Sequence, residues 1–326
     1  MTILVTGAAG FVGFHVSQAL LAQGVRVIGV DNLNTYYTPA LKQARLALLQ
    51  TQPGFSFHKL DLAAPEALSV LASEKNSITG ILHFAAQAGV RYSMLNPAAF
   101  AHSNVLGHLA VLEFARTLPR LVHLVYASSS SVYGRNTTLP FSETDRVDQP
   151  GSFYAVTKRT AELTSSTYSH LYGLPQTGLR FFTVYGPWGR PDMAYYSFAK
   201  AILSGADVTL YEGDALARDF TYIADVVSAV LAVLAKPPEH GAARVLNIGN
   251  HRPESVRTLV QLLEQQLGCK AHITLKPRPE ADVETTWANI DAIHALTGWQ
   301  PTTQLAQGIA QFVAWFKTYQ NTGHQA

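Results

Sequence analysis

One cysteine, Cys269, stands among the 326 residues. A disulfide framework within the chain and a cysteine-based zinc site are therefore both excluded. The twelve histidines are scattered, with no HExxH or comparable ligand spacing, so no metal centre is expected. Charge is scarce as well: 14% of residues are charged, and 24 Lys and Arg nearly cancel 22 Asp and Glu. Without a basic excess or a clustered basic stripe, no nucleic-acid partner is expected. No apolar run is long enough for a membrane span; the longest, from Ala224 to Ala235, is interrupted by Asp225 and Ser228. Met1 leads almost directly into an apolar strand, which leaves no room for a signal peptide, and a cytoplasmic protein is expected. Repeats, low-complexity stretches and long charge runs are missing too.

What the chain has in abundance is apolar residues, 48% of the total, which excludes a disordered chain and suffices for a large core. In the first half, short β-branched runs alternate with helical segments. Strands are expected at Ile3 to Thr6, Val25 to Val30, Phe55 to Lys59, Gly80 to Ala85, Leu121 to Ala127 and Thr177 to Phe182. Helices are expected near Phe11 to Gln23, Pro39 to Gln50, Pro65 to Glu74, Pro97 to Leu118 and Phe153 to Tyr172. Such alternation implies βαβ units, and the continuous apolar strands imply helices on both sheet faces. The reading is an α/β fold: a Rossmann-type doubly wound parallel sheet with a smaller α/β C-terminal substrate-binding domain. The division falls at 1–186, dinucleotide-binding, and 187–326, mainly substrate-binding, with segments able to cross back.

Thr6-Gly7-Ala8-Ala9-Gly10-Phe11-Val12-Gly13 joins the first strand to the first helix. Its glycines Gly7, Gly10 and Gly13 permit a tight turn and close approach of a pyrophosphate. The helix start at Phe11 and Val12 offers free N–H groups and the positive end of the helix dipole. Asp31 ends the second strand eighteen residues after Gly13, where an acid accepts from an adenosine ribose hydroxyl. No arginine occupies Asn32 or Leu33 to meet a 2′-phosphate, so NAD is favoured over NADP. Asp61 and Leu62 after the third strand would flank the adenine, and Ala85 and Ala86 after the fourth would pass beneath the cofactor.

Tyr154-Ala155-Val156-Thr157-Lys158 places a phenol and an ammonium four residues apart, on one face of a helix. Tyrosine titrates near ~10 in water and is a poor base at neutral pH. A neighbouring ammonium and a cationic nicotinamide would stabilise the tyrosinate. Ser128 to Gly134, SSSSVYG, lies at the fifth strand's end, where hydroxyls can donate to a sugar oxygen. The three motifs in chain order on one sheet are far more specific than any one of them.

With these motifs the chain resembles the extended short-chain dehydrogenase/reductase family of nucleotide-sugar epimerases and dehydratases, essentially end to end. The resemblance also rests on VDNLN at Val30–Asn34, HFAAQAGVRYS at His83–Ser93 and RFFTVYGPWGRPDM at Arg180–Met193. QAGVR and GPWGRPDM point to members acting on uronic-acid sugars. The resemblance implies NAD as cofactor, Tyr154 as catalytic acid and base, and Lys158 as its electrostatic partner and a contact of the nicotinamide ribose. It implies Ser129 bonding the sugar 4-oxygen, with Ser130 and Ser131 close by. Arg218 and Arg278 match positions that contact the nucleotide diphosphate, Thr183 and Arg190 surround the sugar, and Arg91 is a further candidate for the carboxylate or the sugar.

The implied reaction is 4-epimerisation of UDP-glucuronate to UDP-galacturonate through a 4-keto sugar, by a homodimer. UDP-glucose/UDP-galactose 4-epimerase and UDP-glucuronate decarboxylase are the alternatives within the family. A dinucleotide-sensing regulatory protein is the alternative outside catalysis, although such proteins usually lose the Tyr–Lys pair. Two departures stand out. Ala224-Asp225 replaces a pair of acids after Arg218-Asp219-Phe220, and Ala281-Asp282 replaces a glycine-aspartate pair near Arg278.

Overall fold

A computed structural model describes residues 1–211, 216–277 and 283–321. In chain order its strands are β1 (Thr2–Thr6), β2 (Arg26–Asp31), β3 (Phe55–Lys59), β4 (Ile78–His83), β5 (His123–Ser129) and β6 (Gln176–Phe181), then β7 (Thr183–Tyr185), β8 (Asp207–Tyr211), β9 (Ala217–Tyr222), β10 (Ala243–Ile248), β11 (Pro253–Ser255) and β12 (His272–Lys276). The main sheet has seven strands in the order β10-β6-β5-β4-β1-β2-β3. Every neighbouring pair in it is parallel. All five residues of β1 are buried, as a strand covered on both faces requires. Helices Phe11–Ala22, Pro39–Gln50 and Phe153–Tyr172 supply crossovers. The strand order reverses between β1 and β4, which opens a crevice at the carboxyl ends of the strands.

The second lobe carries a three-stranded sheet, β11-β9-β7, and a two-stranded one, β12-β8. The chain enters it directly from β6 through β7. It returns as β10, which pairs with β6 from Ala243 opposite Gln176 to Ile248 opposite Phe181. A linear cut at residue 186 thus leaves one strand of the main sheet on the far side, a segment crossing back between lobes.

Two helices differ from the sequence expectation. Ala67–Glu74 is a 3-10 helix. The helix expected over Pro97 to Leu118 is broken into Pro97–Phe100, a π-helical turn at Ala101–Leu106, and Gly107–Ala115. At the π turn the buried Asn104 side chain bonds the peptide of Gln87, accepting from its N–H at 2.7 Å and donating to its carbonyl at 3.0 Å. It also donates to Thr157 Oγ1 at 3.0 Å. Single π turns of this kind often occur at functional sites.

Beneath the crevice lies a buried ion pair. Arg180 of β6 donates to Glu162 through Nε at 2.8 Å and Nη2 at 2.9 Å. Both side chains are 2% exposed. Ser128 Oγ donates to the same carboxylate at 2.6 Å, and Arg159 adds a bond at 2.9 Å. Arg180 Nη1 reaches the Tyr133 hydroxyl, which in turn donates to Asn247 Oδ1 on β10 at 2.6 Å. Burial pushes the Glu162 carboxyl upward, but the Arg180 bonds hold it below its usual range. Glu162→Gln leaves Arg180 as a buried charge without its counter-ion. A loss of about 3–5 kcal/mol is expected, read as a lower urea midpoint at neutral pH.

Candidate active site

Gly7, at φ +71°, hydrogen-bonds the Val30 carbonyl through its N–H at 2.7 Å. A Cβ there would stand 2.7 Å from the Ala85 nitrogen, so only glycine lets β1 and β4 approach this closely. A Cβ at Gly13 would run into the Gly7 carbonyl. Helix Phe11–Ala22 starts after Gly10 with no side-chain cap, which leaves its first N–H groups for a ligand. Asp31 accepts from Ala9 N at 3.1 Å and Leu33 N at 2.8 Å, which fixes the carboxylate at the end of β2.

One cavity is lined by Gly7, Gly10, Phe11, Val12, Gly13, Asp31, Asn32, Asp61, Leu62, Ala85 and Ala86, and it extends to Tyr154 and Lys158. An uncapped helix start, glycines packed too tightly for a Cβ and an acid at the end of β2 fit an adenine dinucleotide. A second cavity, toward the other lobe, is lined by Arg91, Ser129, Ser130, Ser131, Thr183, Arg190 and Arg218. Ser129, Tyr154 and Arg190 line both. Arg278, with Ala281 and Asp282, lies outside the described residues.

Helix Phe153–Tyr172 is capped by Ser152, whose Oγ accepts from Ala155 N at 3.2 Å. Tyr154 N–H donates to Ser93 Oγ at 3.0 Å. One turn on, Lys158 Nζ donates to the Ala127 carbonyl of β5 at 2.9 Å and lies 5.9 Å from the Tyr154 ring centre. Ser129 lies beside the Tyr154 phenol and draws its pKa down. Its Oγ accepts from Ser131 N at 3.2 Å. Ser128, one residue earlier, points the other way into Glu162 and is 2% exposed. All four serines line the cavities, Ser128 the first and Ser129 to Ser131 the second, but the Ser128 hydroxyl is taken up by Glu162.

Several contributors escaped the sequence reading. Ser93 closes the HFAAQAGVRYS stretch, and Thr157 sits inside YAVTK, yet neither motif shows that one steadies the Tyr154 peptide and the other meets Asn104. Tyr36, Lys42 and Asp192 also line these cavities. Among the described residues no cluster of ligand side chains could hold a metal ion, and no helix is long and apolar enough to cross a membrane.

Residues 3–249 match the NAD dependent epimerase/dehydratase family. The chain belongs to that family. UDP-glucuronate 4-epimerase 4 of Arabidopsis thaliana is 48% identical over 333 residues, covering 98% of this chain and 76% of that protein. Among solved structures, UDP-glucuronic acid 4-epimerase from Bacillus cereus, in complex with UDP-glucuronic acid and NAD, superposes with a TM-score of 0.90 at 30% identity, covering 98% of this chain and 99% of that one. UDP-glucose 4-epimerase from Thermotoga maritima, with UDP-glucose, gives 0.86 at 29% identity over 98% and 100%.

The electrostatics of this epimerase/dehydratase site are set by burial. Burial raises the Tyr154 phenol above its usual value, against the pull of Ser129 and Arg190. Lys158 is lowered to about 8, by burial first and then by Arg190. His83 falls well below the ordinary range through burial, the neighbouring His108 and Lys158, and His108 falls to about 3. Both imidazoles are thus neutral at pH 7, and the positive charge around the phenol belongs to Lys158 and Arg190.

Because the folded pKa of Lys158 lies below its unfolded value of 10.5, the folded state binds fewer protons between the two. This group's contribution to stability is full above the unfolded value and is lost as pH falls through about 8. Lys158→Met in the cofactor-free epimerase/dehydratase should therefore melt higher than wild type near pH 7. The advantage should shrink as pH rises toward 10, and melting curves across that range are the check.

Proposed function

We propose that the protein is an NAD-dependent UDP-glucuronate 4-epimerase that interconverts UDP-glucuronate and UDP-galacturonate. The observation that carries this reading is the meeting of Tyr154, Ser129 and Arg190 where the dinucleotide cavity opens into the substrate cavity. A proton acceptor, a hydroxyl donor and a cation suited to a carboxylate converge there. Similarity to named UDP-glucuronate 4-epimerases over 98% of the chain supports the substrate assignment.

Bound NAD supplies an acceptor, and then a donor, of hydride at the sugar C4. Tyr154 as phenolate takes the 4-hydroxyl proton while Ser129 donates to the same oxygen. Lys158 and Arg190 hold the phenolate down in energy by their charge. The 4-keto sugar turns about its diphosphate linkage so that its opposite face is reduced at C4, and Tyr154 returns the proton to the 4-oxygen. Arg218 and Arg278 are assigned to the diphosphate end, and Arg91 to the sugar or its carboxylate. Thr183, Ser130, Ser131 and Arg190 are assigned to the carboxylate. UDP-glucuronate decarboxylases and hexose 4,6-dehydratases of this family typically carry an acid in the segment before VYG, and Ser128 to Ser131 carry none, which supports epimerisation over decarboxylation.

Purified protein incubated with UDP-glucuronate should yield UDP-galacturonate on chromatographic separation. Tyr154→Phe should slow this by about 10³-fold or more and still bind UDP. Conversion of UDP-glucose alone would overturn the uronate assignment, UDP-pentose as main product would make the protein a decarboxylase, and full activity of Tyr154→Phe would remove the phenol from the chemistry.

We also propose a homodimer. Leu106 and Leu109 are 51% and 38% exposed on one segment, and Val156 and Leu163 are 39% and 53% exposed on the helix packed beside it. Contiguous apolar surface of this kind marks an association face. A Leu109→Glu, Leu163→Glu double variant should sediment as a monomer where wild type sediments as a dimer.

A further inference from the structure

Arg190 projects from the loop between β7 and helix Ala194–Ser204, and its guanidinium is held along one edge. Nε donates to Asp192 Oδ1 at 3.0 Å, and Nη2 donates to Oδ2 at 2.5 Å. A guanidinium has a second edge, made of Nη1 and the outer proton of Nη2, with the same spacing for a carboxylate. Asp192 is itself steadied, because its Oδ2 also accepts from the Tyr36 hydroxyl at 3.1 Å.

Tyr36 is carried on the loop after β2, the strand that ends in Asp31. Asn34 shapes that loop: its Oδ1 accepts from Tyr36 N at 3.3 Å and from Lys42 Nζ at 2.6 Å. The Tyr36 ring lies 4.9 Å from that of Tyr92. A Cβ on Gly89 would collide with the Tyr36 hydroxyl, so glycine at that position makes room for it. The mechanism above uses neither Tyr36 nor Asp192, yet both line the substrate cavity.

We propose that Asp192, braced by Tyr36, is a positioning residue: it grips one edge of the Arg190 guanidinium so that the other edge holds the substrate's carboxylate still. The proposal rests on the UDP-glucuronate reading and adds to it a device that governs the fate of the keto sugar. Once C4 is a ketone, the carboxylate on C5 is β to it. If the C5–C6 bond rotates perpendicular to the carbonyl plane, that bond breaks. Its electron pair passes into the C4 carbonyl as an enolate, carbon dioxide leaves, and C5 takes up a proton. When the resulting 4-ketopentose departs, the nicotinamide that oxidised C4 is left reduced. An arginine fixed on its far side resists that rotation, whereas one free to swing follows the carboxylate round.

The test compares wild type, Asp192→Asn, Asp192→Glu and Tyr36→Phe as NAD-loaded enzymes given UDP-glucuronate. Three quantities are read: carbon dioxide released per UDP-galacturonate formed, near-ultraviolet absorbance of reduced nicotinamide, and UDP affinity by calorimetry. UDP has no sugar carboxylate. Asp192→Asn should raise the carbon dioxide ratio about tenfold, accumulate reduced nicotinamide, and leave UDP affinity within about twofold of wild type. Asp192→Glu should recover part of the loss, and Tyr36→Phe should raise the ratio about threefold, since it removes one hydrogen bond. A wild-type ratio in Asp192→Asn overturns the proposal, as does a loss of UDP affinity with the ratio unchanged. Tyr36→Phe keeps the ring packing and carries the test if Asp192→Asn fails to fold; a wild-type ratio there takes Tyr36 out of the arrangement. Failure of the functional reading is seen separately, as a wild type that makes no UDP-galacturonate.

Discussion

The Arg180–Glu162 ion pair holds the geometry of the candidate active site together. Parallel pairing sets Ser128 opposite Arg180 and Ser129 opposite Phe181. Strand side chains alternate, so drawing Ser128 inward to Glu162 turns Ser129 outward to the cavity. On the helix side, Tyr154, Lys158 and Glu162 recur at four-residue spacing and share a face. Glu162 clamps that face to β6, Lys158 ties it to the Ala127 carbonyl of β5, and the phenol is left beside Ser129. Such a pair contributes little net stability over an apolar substitute, and its value here is in orientation.

Around the phenol the fold accumulates positive charge and then withdraws water from it. Lys158 is 5% exposed and its pKa is lowered to about 8. His83 and His108 sit with ring centres 5.2 Å apart, and burial keeps both neutral, so they add bulk without further charge. A buried ammonium costs folding energy, a trade of stability for function common at active sites. The Tyr154 phenol is raised in the protein alone, so the proposed phenolate needs further stabilisation, which a cationic nicotinamide ring beside it would supply.

The cofactor turn and the substrate loop are joined by one buried arginine. Arg45 donates to the Ala9 carbonyl on the turn at 3.0 Å, to the Trp188 carbonyl at 2.6 Å and the Gly189 carbonyl at 3.1 Å on the loop, and to the Tyr37 hydroxyl at 2.8 Å. Its planar set of donors matches carbonyls that secondary structure leaves unpaired. The next residue after that loop contact is Arg190, so the cation assigned to the sugar is placed by groups on the dinucleotide side.

Strand and helix alternation, the glycine turn, Asp31 at the end of a strand, and Tyr154 with Lys158 on one helix face were all legible in the amino-acid order. Each depends on residues a few positions apart and on periods of two or 3.6 that backbone geometry imposes. The return of Ala243–Ile248 to the main sheet, the π turn that aims Asn104 at Gln87, the inward rotation of Ser128 and the grip of Asp192 and Tyr36 on Arg190 belong to the tertiary structure. Tyr36 and Asp192 are 156 positions apart, and Ser128 and Glu162 are 34 apart. Their pairing is selected by which strands lie side by side and which polar groups must find partners once water is gone, and no local pattern encodes that choice.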